Sequence, residues 1–363
     1  MNVDPLPLVT VVIPAYNAAK TLANTIRSVS NQTHERLEIL VVDDGSKDGT
    51  YELANEYRLQ DSRIRVLRQE NGGVARARNL AIREAAGRYI APIDADDLWH
   101  PRKIELQLRA LASLPDGHGV AYNWYAAIDV NDVIFAHSKP VLYKGDVFEI
   151  MVRENFIGNG STPLMPRADV LACGGYDPSL RDQKAEGCED QKLYLALAER
   201  LPFAPVPDFL TGYRFTQGNM SSNACRMLRS HALVMAEVKK RHPHLTAAAT
   251  TAEFDTARWY FHKAFSSKDH DQVRKLAPIM AARFPLRLAI HGAGLVWHSV
   301  KGHARRLANR LSAPVTGKRP APPIREAMTV IAFPENGTSF RDRFEAAAVG
   351  QTRVFIQPRG GGA

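Results

Sequence analysis

Cysteine is scarce in this chain, whose 363 residues contain only Cys173, Cys188 and Cys225. An odd number of widely separated cysteines gives no disulfide framework, and the paired spacing of a zinc site is missing. We therefore expect reduced thiols in a cytoplasmic protein.

Long apolar runs are absent as well. No stretch approaches the roughly 20 uninterrupted apolar residues that a membrane-spanning helix needs. The N-terminus, MNVDPLPLVTVVIP, has no basic region before its apolar run, so we expect no signal peptide. Apolar residues nevertheless make up 45% of the chain, which is ordinary for a globular protein with a sizeable core.

Charge is distributed unevenly along the chain. Residues 223–363 contain 23 Lys and Arg against 9 Asp and Glu, a net charge of +14, which leaves −5 for residues 1–222. A basic C-terminal part indicates an anionic partner, either a membrane surface or a nucleic acid. Nucleic acid is the weaker hypothesis, because no recognised binding module is present and the basic residues lack interleaved stacking aromatics.

The N-terminal part alternates between short apolar runs and amphipathic stretches. These patterns predict buried strands at 9–14, 37–42, 63–67 and 89–93, and helices at 20–31, 50–59 and 74–86. A β-α-β-α-β-α-β order with short connections predicts a parallel sheet that has helices on both faces.

Polar clusters follow the first, second and fourth of these strands, at 15–17, 43–46 and 94–97. In an open α/β sheet such clusters lie along one edge, where ligands bind. Asp94, Asp96 and Asp97 repel one another and gain nothing from a core. A divalent cation would hold Asp94 and Asp96 together and bridge to phosphate oxygens. The alternative is an acidic turn that caps the next helix.

The pattern changes after Gly117. Strands or mixed segments are predicted at 120–124, 126–135, 141–148, 163–165 and 210–215, and helices at 101–113, 167–172, 189–201, 227–240, 251–266 and 272–283. From residue 312 the chain is rich in Pro, Gly and charge, with 329–333 as a candidate isolated strand. We therefore predict an α/β domain at 1–222, a basic helical extension at 223–311 and a largely disordered tail at 312–363.

Five segments resemble family 2 of the inverting glycosyltransferases, over about residues 8–221. They are VTVVIPAYNAAKTLANTIRSVSNQ, LEILVVDDGSKDGT, NGGVARARNLAIREAAGRYIAPIDADD, GGYDPSL and CEDQKLYLALAERL, in this order. The resemblance implies the Rossmann-like GT-A fold of nucleotide-diphospho-sugar transferases, followed here by a C-terminal helical extension. It also implies a hexosyl- or N-acetylhexosaminyl-transferase of bacterial cell-surface glycans. The QxxRW signature of processive synthases is absent, which favours transfer of a single sugar.

The resemblance assigns the nucleotide-sugar donor to one set of residues. Pro14 and Tyr16 would line the base and ribose pocket, although strand punctuation and ordinary packing explain them too. Asp44 would accept a hydrogen bond from the uracil N–H, since a carboxylate selects a base that donates. Arg78 matches the basic position beside the nucleotide loop.

The resemblance also assigns the reacting groups. Asp94 and Asp96 match the family's D-x-D pair and would contact both the nucleotide-sugar and the metal. Asp96 would bind Mn²⁺ or Mg²⁺ against the diphosphate, and Asp94 would hold the ribose or a water bound to that metal. Asp190 would be the base that takes the proton of an acceptor hydroxyl, and Glu189 would orient the acceptor. Acidic residues at a helix start are also favoured by the helix dipole alone, which is the alternative for both.

The roles of three further positions stay open. Arg214 would reach the diphosphate, as basic residues near this point do in some relatives, or play no such part. Trp99 would wall the sugar or belong to the core. His242 and His244 form an HxH pair whose lack of Cys or acidic partners in the sequence argues against metal binding.

The resulting expectation is a metal-assisted inverting glycosyltransferase that uses a UDP-sugar and a glycan or lipid-linked acceptor. The basic C-terminal region would place it on the inner face of the cytoplasmic membrane. A sugar nucleotidyltransferase and a non-catalytic nucleotide- or anionic-surface-binding module are the alternatives. The nucleotidyltransferase needs a glycine-rich basic loop after the first strand, where this chain has AYNAAKT.

Overall fold

The computed structural model describes residues 6–215, 222–285 and 339–340. Within these ranges, no helix is both long enough and apolar enough to cross a bilayer. The chain divides into two compact units, Met1–Ala249 with Ile331–Ala363, and Thr250–Val330. The tail predicted at 312–363 lies outside the described residues except for 339 and 340, as does the candidate strand at 329–333. The three-part division of the chain stays a prediction.

The described strands are β1 (Val9–Ala15), β2 (Leu37–Asp43), β3 (Ile64–Arg68), β4 (Tyr89–Pro92), β5 (Leu98–Trp99), β6 (Val120–Ile128), β7 (Ile134–His137), β8 (Met165–Pro166) and β9 (Phe203–Arg214). The described helices are α1 (Leu22–Ser30), α2 (Thr50–Gln60), α3 (Val74–Glu84), α4 (Lys103–Ala112), α5 (Phe148–Arg153), α6 (Arg167–Ala172), α7 (Ser179–Asp182), α8 (Glu189–Ala198), α9 (Ala224–Arg241), α10 (Thr246–Ser266) and α11 (His270–Arg283).

The first sheet has the strand order β3-β2-β1-β4-β8. The first four of these strands are parallel, as the β-α alternation predicts, and β8 joins antiparallel to β4. Strand β1 is central and buried along its whole length, which explains its unbroken apolar run. Helix α1 buries Leu22, Ile26 and Val29, the apolar stripe expected for it, in the same core cluster as β1.

The predicted polar edge is confirmed. Strand β1 pairs with β2 on one side and with β4 on the other, all three in parallel. Their carboxyl ends, and the polar clusters that follow them, therefore lie side by side on one edge of the sheet.

The second sheet has the order β5-β9-β6-β7. The acidic loop, which we define as Asp94–Asp97, leaves β4 of the first sheet and enters β5 of the second. Two residues of β5 pair antiparallel with Gly212 and Thr211 of β9. The acidic loop is thus held at both ends by different sheets.

Two local predictions need correction. Residues 141–148, expected to be strand or mixed, contain no named strand, and helix α5 starts at Phe148. The last strand starts at Phe203, seven residues before the expected Leu210. Pro205 and Pro207 made this segment unlike a strand, because proline cannot donate to a ladder, and the register opposite them shifts between Asn123 and Tyr125.

In the second unit, α11 packs against α10. The rings of Phe254 and Phe284 lie 5.4 Å apart, and Arg283 bonds the carboxylate of Glu253 at 2.8 Å. The helices expected near 251–266 and 272–283 are confirmed, each with an earlier start.

Gly87→Ala should lower the free energy of unfolding by about 1–3 kcal/mol, a typical cost of overpacking. An added Cβ would lie 2.5 Å from the backbone nitrogen of Thr10 in the central strand, which cannot move aside cheaply. Gly49→Ala is the matched control, because nothing lies within 4 Å of its added Cβ, and its effect should stay within about 0.5 kcal/mol. Denaturant unfolding of both variants measures the difference, and equal stabilities would contradict this account.

Candidate active site

Ser161 fixes the acidic loop through hydrogen bonds. The backbone N–H of Asp94 donates to the Ser161 hydroxyl oxygen at 2.9 Å, and that hydroxyl donates to the carboxylate of Asp97. The Ser161 carbonyl accepts from the indole N–H of Trp99 at 2.8 Å. One short loop, 159–162, therefore holds three points of the chain around the acidic loop.

Asp97 is completely buried and anchors the loop. Besides the Ser161 hydroxyl, it accepts the backbone N–H of Arg214 at 2.8 Å. Burial, followed by the charges of Asp96 and Asp94, raises the pKa of Asp97 well above its ordinary value. Helix α4 begins only at Lys103, so Asp97 holds the loop and does not cap that helix.

Asp96 is the least compensated of the three carboxylates. Asp96 is partly exposed, and its carboxylate accepts no hydrogen bond from any other residue in the described ranges. Burial and then the charge of Asp94 raise the pKa of Asp96 to about 6, while Arg214 opposes the rise. A cation beside this carboxylate would offset the cost of its charge.

Arg78 bonds Asp94 and interacts electrostatically with Asp190. Its guanidinium, carried by α3, donates to the Asp94 carboxylate and lies over the ring of Tyr176 at 4.9 Å. Burial opposes the charge of Arg78, but Asp94 first and Asp190 among the further groups raise its pKa. Its Nε is buried and has no hydrogen-bond partner in the described part of the chain.

Asp190 lies at the start of α8 and is partly exposed. Its carboxylate accepts the backbone N–H of Gln191 at 2.7 Å. Burial raises the pKa of Asp190, and Arg78 opposes the rise. The charge of Asp94 also raises the pKa of Asp190. Carboxylates almost one hundred positions apart in the sequence therefore share one electrostatic environment.

Glu189 differs from its neighbour. It is buried, and one oxygen accepts the backbone N–H of Gly187 at 2.9 Å. Burial, with a contribution from Asp190, raises the pKa of Glu189 to about 7. Glu189 thus shapes the turn that leads into α8, whereas Asp190 is the more accessible of the two.

Asp44 follows β2, on the same edge of the sheet, and its carboxylate faces the backbone at the start of α3. Its carboxylate accepts from the backbone N–H groups of Gly72 and Gly73, both at 2.8 Å, and from the side chain of Gln69 at 2.6 Å. Gly73 has φ +87°, which favours glycine. Of about four acceptor positions on a carboxylate, three are therefore used, which leaves room for one more donor.

The other donor-site candidates lie on the same edge. Pro14 is buried in β1, next to Val42 of β2. Tyr16 follows β1 and is 48% exposed, so its ring is accessible for stacking on a planar group such as a base. The loop after β1 is tied to the loop after β2, because the Asn17 backbone N–H donates to the Ser46 hydroxyl oxygen at 3.0 Å.

The structure places the three positions whose roles stayed open. Trp99 is fully buried and belongs to the core. Arg214 is also buried, and its guanidinium bonds protein groups, namely the Asp96 carbonyl and the Asp132 carboxylate. His242 contacts the carboxylate of Glu199 at 2.9 Å.

Several site residues have no clear signal in the sequence. Tyr176 packs below Arg78, and the hydroxyl of Tyr194 donates to the Asn159 carbonyl at 3.0 Å. Buried tyrosines in apolar surroundings look like ordinary core residues in a sequence. The polar run Asn159 to Thr162 was identifiable only as a turn.

The residues present fit a divalent cation held in part by the protein. Within the described ranges there is no cluster of three or more His, Cys, Asp or Glu arranged as a complete metal site. Asp94 and Asp96 offer two carboxylates, and the Asp96 carboxylate has no donor from another described residue. Mg²⁺ is commonly held by one or two carboxylates together with substrate phosphates and water, which suits such a partial set.

Comparison with protein families places this edge of the sheet inside a known domain. The model described as Glycosyl transferase family 2 matches residues 10–166. That range includes the acidic loop, Asp44 and Arg78.

Individual relatives extend the match. TuaG of Bacillus subtilis, named for glycosyl transfer in teichuronic acid biosynthesis, is 46% identical over 243 residues, which are 65% of this chain and 90% of TuaG. An uncharacterized glycosyltransferase of Rickettsia felis is 38% identical over 58% of this chain, which spans a third of that protein's length (33%). The hyaluronan synthase of Pasteurella multocida is 37% identical over 34% of this chain and 14% of the synthase.

Solved structures share the fold. S. aureus TarS 1–349 superposes with a TM-score of 0.54 at 18% identity, covering 77% of this chain and 82% of that one. The same fragment in complex with UDP gives a TM-score of 0.51 at 17% identity, covering 70% and 72%.

Asp96→Asn should stabilise the metal-free protein at neutral pH, because burial and Asp94 both disfavour the charge. The folded-state pKa of about 6 lies above the ordinary value of 3.8, so the folded protein binds this proton more tightly than the unfolded chain. The wild type therefore loses stability as pH rises from about 3.8 through about 6. The advantage of asparagine should be present above that window and vanish below it.

Thermal unfolding in the presence of a chelator, across this pH range, measures the effect. Asp116→Asn is the control, since Asp116 is exposed and has a φ of +57°, which asparagine also tolerates. An Asp96→Asn melting curve that follows the wild type at every pH would overturn the prediction.

Proposed function

The chain belongs to glycosyl transferase family 2, and we propose that it moves one sugar from a UDP-sugar to a hydroxyl of a glycan or lipid-linked acceptor. The expected GT-A fold and the glycosyltransferase class are confirmed by the family match and the relatives. The donor, inversion at the anomeric carbon and assistance by a cation are our proposal. The observation that carries it is that the Arg78 guanidinium bonds the Asp94 carboxylate, while Asp190 at the start of α8 interacts electrostatically with both.

The donor proposal depends on the edge formed by β1, β2 and α3. The Asp44 carboxylate keeps one acceptor position for a further donor such as a uracil N–H, and exposed Tyr16 follows the neighbouring strand β1 on the same edge. One of the TarS structures is a complex with UDP, and that protein shares the fold at 17% identity. The UDP bound to TarS is consistent with a UDP-sugar as the donor of this chain.

Asp96 and Asp94 would hold Mn²⁺ or Mg²⁺, which would neutralise charge that develops on the leaving diphosphate. Arg78 keeps a buried positive charge beside Asp94 and so limits repulsion among the carboxylates. Ser161 and Arg214 keep the backbone of the loop in place, which is the preorganisation that such a site needs.

Asp190 would act as the general base. The acceptor oxygen forms a bond to the anomeric carbon, and its proton passes to the Asp190 carboxylate. The bond from that carbon to the phosphate oxygen breaks, and its electron pair leaves with the nucleoside diphosphate. One displacement from the opposite face inverts the anomeric configuration. Burial raises the pKa of Asp190 and thereby makes it a stronger base.

The acceptor class follows from the relatives. The name of TuaG assigns it to teichuronic acid biosynthesis, and 90% of its length is matched. We propose that the acceptor here is likewise a growing cell-surface glycan, free or lipid-linked, built at the cytoplasmic side of the membrane.

Asp190→Asn should lower the rate of UDP release from UDP-sugars by about 10²–10⁴-fold, since the base contributes on that scale. Metal-dependent UDP binding should persist, because Asp190 does not hold the cation. A coupled assay for UDP release and calorimetry with UDP and Mn²⁺ measure the two quantities.

Asp96→Asn provides the contrast, because it should lose the metal-dependent binding itself. Asp182→Asn, an exposed aspartate that pairs with Arg76, should change neither quantity. Unchanged turnover in Asp190→Asn would refute its role as base. Absence of Mn²⁺-dependent UDP binding in the wild type would refute the donor proposal.

We also propose peripheral contact with an anionic membrane through the basic C-terminal part. On α10 of the second unit, Trp259 and Phe265 are 55% and 67% exposed, and the Lys263 ammonium lies 5.1 Å from the Trp259 ring. Exposed aromatics beside lysine, in a part of the chain with net charge +14, suit a lipid interface.

Trp259→Ala combined with Phe265→Ala should reduce co-sedimentation with vesicles that contain anionic phosphatidylglycerol. High salt should also reduce it, because the attraction is electrostatic. Leu59→Ala, on exposed Leu59 in α2, is the control and should sediment like the wild type. Wild-type protein that stays in the supernatant at low salt would rule out the contact.

A further inference from the structure

Phe340 is a buried residue from the far C-terminal part of the chain. It is completely inaccessible and lies in one core cluster with Leu98, Ala126, Ile128 and Ile134. Its backbone N–H donates to the Asp132 carbonyl at 2.9 Å, and Ser339 forms an antiparallel bridge with Val133. Residues 339–340 therefore pack against the second sheet.

The second sheet leaves space for this ring. A Cβ on Gly212 would lie 2.9 Å from the Phe340 ring, so β9 passes close beneath it. Gly212 pairs with Leu98 of β5, and Leu98 follows directly after the acidic loop. Phe340 thus packs on the strand into which the acidic loop runs.

Phe340 also supports a buried ion pair. Asp132, whose carbonyl accepts from Phe340, has a φ of +66° in the turn between β6 and β7. Its carboxylate pairs with Arg214, and both side chains are almost inaccessible. Breaking one half of a buried pair leaves an uncompensated charge, so the position of Asp132 matters for Arg214.

Arg214 transmits this support to the acidic loop. Its Nε donates to the Asp96 carbonyl at 2.6 Å, and its backbone N–H donates to the Asp97 carboxylate at 2.8 Å. A continuous set of contacts therefore runs from Phe340 through Asp132 and Arg214 to Asp96.

We propose that Phe340 is a positioning residue for the acidic loop, acting through Leu98 and through the Asp132–Arg214 pair. Residues 339–340 then support the donor site, although they lie more than two hundred positions after the acidic loop in the sequence. The consequence for activity rests on the proposed function, because it assumes that Asp96 holds the cation. The consequence for the loop itself does not.

Phe340→Ala in the full-length chain should loosen the acidic loop. Amide hydrogen exchange should become at least tenfold faster in residues 94–99, while α1 keeps its protection. The Mn²⁺ concentration that gives half-maximal UDP binding should rise about tenfold. Phe340→Leu, which refills most of the volume, should restore both quantities toward the wild type.

Two further variants separate positioning from general stability. Asp132→Asn, which keeps the shape and loses the charge, should shift the Mn²⁺ dependence in the same direction as Phe340→Ala, even if Phe340→Ala folds poorly. Leu59→Ala, on exposed Leu59, should change neither readout.

The outcomes distinguish this inference from the proposed function. A Phe340→Ala protein with a lower melting temperature but unchanged exchange at 94–99 would overturn the inference, as would unchanged Mn²⁺ dependence in both Phe340→Ala and Asp132→Asn. Wild-type protein without Mn²⁺-dependent UDP binding would overturn the proposed function, and hydrogen exchange would then test the positioning role alone.

Discussion

Mutual repulsion among the carboxylates of the acidic loop is the constraint around which this site is built. Asp94, Asp96 and Asp97 lie within four residues at a partly buried sheet edge, where like charges cost most. Asp94 is compensated by the buried guanidinium of Arg78, and Asp97 by two hydrogen bonds. The Asp96 carboxylate has the weakest compensation, and this imbalance is the reason for proposing that a cation binds there.

The compensating groups come from distant parts of the chain. Arg78 is carried by α3 of the first sheet layer, Ser161 by the loop before β8, and Arg214 by β9 of the second sheet. The acidic loop is therefore a joint between two sheets. A loop fixed at both ends suits the proposed site, which would place a cation and a leaving group without reorganisation.

The family assignment and the electrostatics support one chemical picture. Under the proposed function, Asp94 would belong to the donor side and Asp190 to the acceptor side, and Arg78 interacts electrostatically with both. In the proposed reaction a proton moves toward Asp190 while negative charge develops near Asp94 and Asp96. A buried cation between the two regions would lower the cost of holding so many acidic groups in one cleft.

The sequence by itself determined the alternation of strands and helices and the shared edge for Asp44 and Asp94. The reason is that these features follow from local periodicity and from the geometry of parallel β-α units. It also identified the family, since the five segments carry that information in the residues themselves. Only the tertiary structure decided that Arg214 supports the acidic loop, that Trp99 is core, and that Phe340 packs on the second sheet. Those roles arise from contacts between residues far apart in the chain, and a buried arginine or phenylalanine has the same local pattern whichever partner it finds.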